Sequence, residues 1–445
     1  MVKTKVIVEK DLLGPLNESI AMDFETLRKK YPQFIYESFS YKFSKNELRI
    51  SFKFKTKDIF FNPRIVIREI DKGTLEKDCL NNLVFNLGLA EMVSYWKATC
   101  SPQIIIKAGR LDDFQIKWWH NFMISGMGQF YYENNIDWRS PDFIKIISSE
   151  KKSFKKYQGK LKDRYLVPFA GGRDSIVTLE NLKKTKKEIS LFTVNPIEKI
   201  QRAVKVSGIK KQVIVLRKVD RKLLELNKRG FLNGHTPFTA LLSFLAVLCA
   251  AVLDYKHIFF SNEKSADEGN VRYLGRIINH QWAKSSEFEK KFKLYAKNYL
   301  AQDIDYFSFL RKYGELKISK MLTRYPQYFP VFSSCNAGMK ISAKGKLKAK
   351  ERWCGNCPKC LFVYLSIFPI LDKNDLKIIF GKDIFENKKL LPILKELVKE
   401  EAVKPLECVG TKKESRKALS LCLKKIEGSK KVPYLLAKIK NLNED

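Results

Sequence analysis

The sequence predicts an α/β protein built on a parallel sheet, with an α+β region before it and a mostly helical, cysteine-bearing region after it. Three observations carry this reading. From Tyr165 to Asn262, short apolar runs alternate with helical segments, and parallel neighbours require such long crossovers because consecutive strands must begin at the same edge. The stretch YLVPFAGGRDSIVTLENL puts an apolar run, two adjacent glycines and a helix in direct succession. Finally, WCGNCPKC repeats cysteine at every third position in a region without strand alternation. The expected regions are 1–155, 156–331 and 332–445.

In the first region, FIYESFSYKF, the turn-like SKNE and LRISFKFK read as a hairpin, because alternation of apolar and polar residues suits a half-buried strand. Asp78 to Trp96 and Phe114 to Tyr132 follow helical spacing and are rich in aromatics, which suit a core. In the second region YLVPF, ISLFTV, QVIVLRKV and KHIFF are the strands. The apolar run Thr239 to Leu253 falls short of the about 20 residues that span a bilayer, so it reads as a buried helix and the chain as lacking a membrane span. Thr236 and Pro237 ahead of it suit a helix start, the hydroxyl as a cap and the proline as a residue whose missing donor is not needed there. The opening MVKTKVIVEKDLL carries charges throughout and has no secretory pattern, which predicts a cytoplasmic protein.

A composition of 445 residues, 45% hydrophobic and 30% charged, is that of a globular chain with sizeable cores. The net charge of +36 raises the question of a polyanionic partner. Lysines nevertheless occur from end to end, with modest concentrations at Lys151 to Lys162 and Lys344 to Arg352. That distribution fits a generally lysine-rich chain better than a nucleic-acid groove, and it suits a phosphorylated substrate. Nine cysteines, three within seven residues, point to metal binding in a reducing compartment rather than a disulfide scaffold. Cys79, Cys100, Cys249, Cys408 and Cys422 are scattered and read as small buried hydrophobes.

The glycine turn carries the first chemical expectation. Ala170, Gly171, Gly172, Arg173, Asp174 and Ser175 lie between a strand and a helix, where backbone amides and the helix dipole can hold phosphate oxygens. Asp174 would repel phosphate unless a magnesium ion lay between them. The loop lacks both the Gly-Lys-Ser/Thr ending of kinase-type phosphate loops and the three spaced glycines of dinucleotide folds. It resembles the Ser-Gly-Gly-x-Asp-Ser loop of the PP-loop ATP pyrophosphatases, with Ala170 where the first serine is usual. That resemblance implies ATP cleaved between its α and β phosphates, and adenine held near Val194 and Asn195 at the end of the second strand. A plain strand-to-helix turn before Pro196 explains the same two residues equally well.

Cys354, Cys357 and Cys360, with Cys335 upstream, offer four thiolates to a structural zinc ion, while free cysteines at the start of the helix CLFVYLSIF and redox catalysis are the alternative readings. Beyond the KHIFF strand, SNEKSADEGN and INHQWAKSSEFE place Glu263, His280 and Lys284 where ligands of such sheets bind. His235 in NGHTPFTA adjoins the start of the buried helix, where anion binding and turn capping are equally open readings.

Taken in order, NLGLAEMVSYWKATCSP, PFAGGRDS, NGHTPFTA, SNEKSADEGN, INHQWAKSSEFE, SSCN, WCGNCPKC and PLECVGT resemble the UDP-N-acetylmuramoyl-L-alanyl-L-glutamate epimerases of bacterial cell-wall synthesis, over roughly Asn82 to Thr411. The resemblance implies ATP- and magnesium-driven inversion of the terminal glutamate of a UDP-linked muramoyl dipeptide through an acyl adenylate, releasing AMP and pyrophosphate. It implies phosphate and metal contacts from Gly171, Gly172, Asp174 and Ser175, and an acid-base pair among Glu263, His280, Lys284 and His235. The first region, 1–155, is the expected place for the UDP-sugar. A competing expectation is a PP-loop enzyme of tRNA or nucleobase modification, in which the positive charge would serve nucleic acid.

Overall fold

A computed structural model describes residues 22–441 except 45, 71–74, 338–340, 343–344 and 347–351. The opening residues read for a secretory signal and most of the Lys344 to Arg352 run lie outside them. Among the described residues no helix is long and apolar enough to cross a membrane.

The strands in chain order are β1 (Gln33–Ser44), β2 (Glu47–Thr56), β3 (Ile59–Phe61), β4 (Arg64–Arg68), β5 (Gln103–Ile106), β6 (Lys145–Ile147), β7 (Tyr165–Pro168), β8 (Ile189–Val194), β9 (Gln212–Lys218), β10 (His257–Phe260), β11 (Val271–Tyr273), β12 (Arg276–Ile278) and β13 (Asp305–Ser308). One sheet runs in the order β13-β10-β7-β8-β9-β4-β2-β1-β5-β6, with β3 on β2, while β11 and β12 form a separate hairpin. The stretch from β13 to β9 is parallel. β4 then joins β9 antiparallel, so the sheet continues unbroken from the second sequence region into the first. The expected β1–β2 hairpin is present, its register shifted between Tyr36 and Ser38.

Parallel strands are covered on both faces, and β8 accordingly buries every residue but its last. Alternation along the strands divides the interior into two cores. Leu166 and Phe192 pack with the helix Phe238–Leu253 and the aromatic residues of the first region. Val167 and Leu191 face the other way, against Ile176 and Leu179 of the helix Arg173–Leu182 and Leu361 of the helix Pro358–Ile367. The cysteine-bearing region is thus one of the two layers that cover the sheet.

Some local expectations change. The helical run Phe114 to Tyr132 is two helices, Asp113–Gly126 and Gly128–Glu133, broken at Met127. The buried helix starts at Phe238 with Pro237 at its N-cap and no side-chain cap bond, so the Thr236 hydroxyl does not cap it. β13 has no periodic signal in DYFS, because four residues beside one parallel neighbour need no alternation over a longer run.

Candidate active site

The carboxyl ends of β7, β8 and β10 open onto a cavity of about 310 Å3, with Pro168, Val194 and Phe260 in its wall. β7 has a parallel neighbour on each side, β10 and β8. A crevice opens at this place in a wound sheet because the connections leave toward both sides.

The glycine turn forms the floor. Gly171 has φ +67°, and a Cβ there would lie 2.9 Å from that of Ala203, so the position excludes side chains on two grounds. Gly172 is the N-cap of the helix Arg173–Leu182 and supplies no side-chain cap. That leaves the positive end of the helix dipole facing the cavity, beside Ala170, Asp174 and Ser175. Ser175 Oγ donates to the Gly172 carbonyl at 3.0 Å, holding the turn closed.

Arg173 stands apart from its neighbours. Its backbone amide donates to Ser334 Oγ at 3.2 Å, while its guanidinium is buried and turns toward Ser319 and Glu315. There Nε donates to Asp174 Oδ1 at 2.7 Å, Nη1 to Ser319 Oγ at 3.2 Å, and Nη2 pairs with buried Glu315. The side chain therefore orients Asp174. Burial alone would raise the Asp174 carboxyl, but Arg173, then Lys359 and Lys284, hold it below its ordinary range. An ionised carboxylate in the first turn of a helix, facing a cavity, is a donor of the type that magnesium takes. The Asn195 side chain bonds within the sheet. Its Nδ2 donates to the Arg217 carbonyl at 3.0 Å and its Oδ1 accepts the Arg217 amide at 2.9 Å, which joins β8 to β9, while Val194 lines the cavity.

Lys284 also lines the cavity, and its Nζ donates to Cys408 Sγ at 3.3 Å. His280 Nε2 lies 3.8 Å from the same sulfur, and the rings of His280 and His235 are 4.6 Å apart. His235, His280, Cys408 and Lys284 therefore form a connected series ending in the cavity. Burial, then His280 and Lys97, push His235 down to about 3, so it is a neutral imidazole near pH 7. Burial first, then Asp174 and Glu315, raise Glu263 to about 7 against the opposing pull of Lys284 and Lys359. Burial opposes the charge on Lys284, but Cys408, Glu263 and Asp174 together raise its pKa. These are shifts of the kind that arise where proton-transfer groups are clustered.

The four cysteines also converge. The sulfurs of Cys335, Cys354, Cys357 and Cys360 all lie within 4.8 Å of one another. Tetrahedral zinc–thiolate bonds place sulfurs about 3.8 Å apart, and the Cys354–Cys360 and Cys357–Cys360 separations are 3.7 and 3.4 Å. A zinc ion fits this donor set and would tie the Cys335 loop to the helix Pro358–Ile367. The same loop supports the glycine turn: the Ser333 amide donates to the Gly171 carbonyl at 3.1 Å, and Lys199 Nζ donates to the Cys335 carbonyl at 2.9 Å.

Among the polar cavity residues that sequence reasoning missed are Cys408, Lys359, Asn262 and Ser334. Cys408, read as a buried hydrophobe, is half-buried and lines the site; its signal lay in PLECVGT, a motif to which no role was attached. Lys359 is hidden in WCGNCPKC between Cys357 and Cys360, while Asn262 and Ser334 adjoin residues that drew attention for other reasons.

A model of the MurL N-terminal domain matches residues 25–309, and one of the MurL C-terminal domain matches residues 331–444. A UDP-N-acetyl-alpha-D-muramoyl-L-alanyl-L-glutamate epimerase of Xanthomonas oryzae pv. oryzae is 31% identical over 341 residues, 77% of this chain and 74% of that protein. Proteins of the same name from Salinispora tropica and a Micromonospora species are 38% and 37% identical over 258 residues, 58% of this chain, and the match spans 55% and 56% of their lengths. A solved structure of a predicted tRNA methyltransferase subunit from Methanocaldococcus jannaschii covers 36% of this chain and 75% of that one at 17% identity. Its TM-score of 0.24 is too low for the likeness to bear on fold or function.

Proposed function

The chain belongs to the MurL family, and on that premise we propose that it inverts the terminal L-glutamate of UDP-N-acetylmuramoyl-L-alanyl-L-glutamate to D-glutamate for peptidoglycan synthesis. ATP activates the glutamate carboxylate as an acyl adenylate, and AMP and pyrophosphate are released. The observation that carries this reading is one cavity that joins the glycine turn and Asp174 to Lys284 and the groups behind it.

The chemistry explains why both halves are needed. An α-proton beside a free carboxylate is very weakly acidic, because its removal would set charge next to charge. Adenylation removes that obstacle. Gly171, Gly172 and Ser175 would hold phosphates with the help of the helix dipole, and Asp174 would hold magnesium, which supplies charge neutralisation on the phosphates. An acid-base group then takes the α-proton and another returns one to the opposite face, within the set Glu263, His280, Lys284 and His235. Of these, burial lowers His235 to about 3 and raises Glu263 to about 7. Hydrolysis of the adenylate completes the cycle.

The test is incubation of the zinc-loaded protein with ATP, magnesium and the UDP-linked dipeptide, following AMP, pyrophosphate and glutamate chirality. D-glutamate formed together with AMP supports the reading. Folded protein that makes AMP without D-glutamate, or neither, rejects it.

A further inference from the structure

Cys408 lies in the connection between the helices Leu391–Val398 and Lys412–Ile426, outside the sheet, yet its sulfur enters the same cavity as Asp174 and Ser175. Its sulfur lies 3.3 Å from Lys284 Nζ and 3.8 Å from His280 Nε2, and Lys359 adds a further positive charge, while the carboxylate of Asp174 lines the same cavity and Glu407 precedes Cys408 in the chain. Two tethers fix this arrangement. Buried Asn270 accepts the His280 amide at 2.8 Å and donates to the Pro405 carbonyl at 2.7 Å, so one side chain sets the spacing between the histidine and the cysteine segment. Arg311 donates to the Lys284 carbonyl at 2.5 Å and to Glu289 Oε2 at 3.0 Å, anchoring the lysine.

We propose that Cys408 Sγ, held by Lys284, is the base that removes the α-proton of the activated glutamyl group. The inference rests on the epimerase reading and adds to the acid-base set a residue of a type that the reading did not include. In the step, the Cα–H bond breaks, an S–H bond forms and the electron pair enters the acyl carbonyl as an enolate. Return of the same proton regenerates the L-centre; delivery from the opposite face gives the D-centre. The charge state agrees with the geometry. Burial would raise the thiol, but Lys284, His280 and Lys359 draw it down to about 6, so the thiolate is present near neutrality. The buried cysteines Cys100, Cys249 and Cys422 are all pushed up instead. A thiolate on this site is ready to accept a proton without prior activation.

The experiment compares wild type with Cys408→Ser, which preserves size. Three readouts are needed: substrate-dependent ATP–pyrophosphate exchange, D-glutamate formation, and uptake of deuterium from heavy water at the glutamate α-carbon. The expected result is persistent exchange with D-glutamate formation and deuterium uptake reduced by about 10^2- to 10^4-fold. A C408S protein that epimerises within a few-fold of wild type overturns the inference. Wild-type protein that forms no D-glutamate overturns the epimerase reading and this inference with it. Iodoacetamide treatment of the zinc-loaded wild type at pH 7, with peptide mass mapping, tests the same point without a substitution. Alkylation of Cys408 should track loss of D-glutamate formation, and full alkylation with activity retained overturns the proposal.

Discussion

Ser334 Oγ accepts the backbone amide of Arg173 at 3.2 Å, so the segment that leads to Cys335, first of the four clustered cysteines, also braces the glycine turn. The Ser333 amide, bonded to the Gly171 carbonyl at 3.1 Å, makes a second such contact. Through these bonds the segment leading to Cys335 can set the shape of the glycine turn.

Zinc removal should therefore weaken nucleotide binding. The protein purified without chelator is expected to carry about one zinc per chain, and Cys357→Ser should lose it. ATP affinity should then fall at least about tenfold, equivalent to about 1.4 kcal/mol. Elemental analysis and isothermal titration calorimetry check both statements. A zinc-free C357S protein that binds ATP like wild type would separate the cluster from the turn.

Gly171 and Gly208 provide an internal comparison. Both have positive φ, +67° and +72°, but a Cβ on Gly171 meets Ala203 at 2.9 Å whereas one on Gly208 meets nothing within 4 Å. Gly208→Ala should cost only the left-handed backbone penalty of about 1–2 kcal/mol. Gly171→Ala should cost more by about 1 kcal/mol or above, and should suppress pyrophosphate exchange, which G208A leaves intact. Urea denaturation of the two variants reads the difference.

Asp174 and Glu315 share Arg173 but differ in exposure, with 19% and 1% of their side-chain surfaces accessible. Glu315→Gln strips charge from the fully buried partner and should destabilise the fold by about 3 kcal/mol. Asp174→Asn should destabilise it less, because Glu315 still neutralises Arg173. Its effect should fall on chemistry instead, with exchange lowered about 10^2- to 10^3-fold. Equal loss of stability in both, with exchange retained in D174N, would count against the magnesium role.

Glu263 predicts a pH dependence of stability. Its folded pKa of about 7 lies above its ordinary 4.5, raised first by burial and then by Asp174 and Glu315. The folded state thus binds this proton more tightly than the unfolded state does. The associated stability is fully present below about pH 4.5 and is lost as pH rises through about 7. Glu263→Gln, which has no proton to lose, should be more stable than wild type at pH 8 by up to about 3 kcal/mol and little different at pH 5. Urea midpoints at the two pH values check the sign; a stability difference unchanged between them would contradict it.

What was legible in the sequence was local. The strand Tyr165–Pro168, the glycine turn and the helix Arg173–Leu182 follow one another along the chain, and the apolar residues of Ile189–Val194 and Phe238–Leu253 mark buried elements by composition alone. The Cys354, Cys357 and Cys360 spacing was equally plain, because the ligands sit within one turn and one helix start. Side-chain direction was not legible. Arg173, within the phosphate motif, turns to Glu315 because a buried guanidinium needs a carboxylate, and Asn195 bonds Arg217 because the strand end leaves backbone groups to satisfy.

The sequence by itself determined the α/β layering, the glycine turn between strand and helix, and the cysteine triplet, since each depends on neighbours along the chain. Only the tertiary structure decided that the first region continues the same sheet through β4 and β9, and that Cys408 joins Lys284 across 124 residues. Those pairings arise where separately folded stretches meet, and the charge that Lys284 brings to Cys408 exists only once they have met.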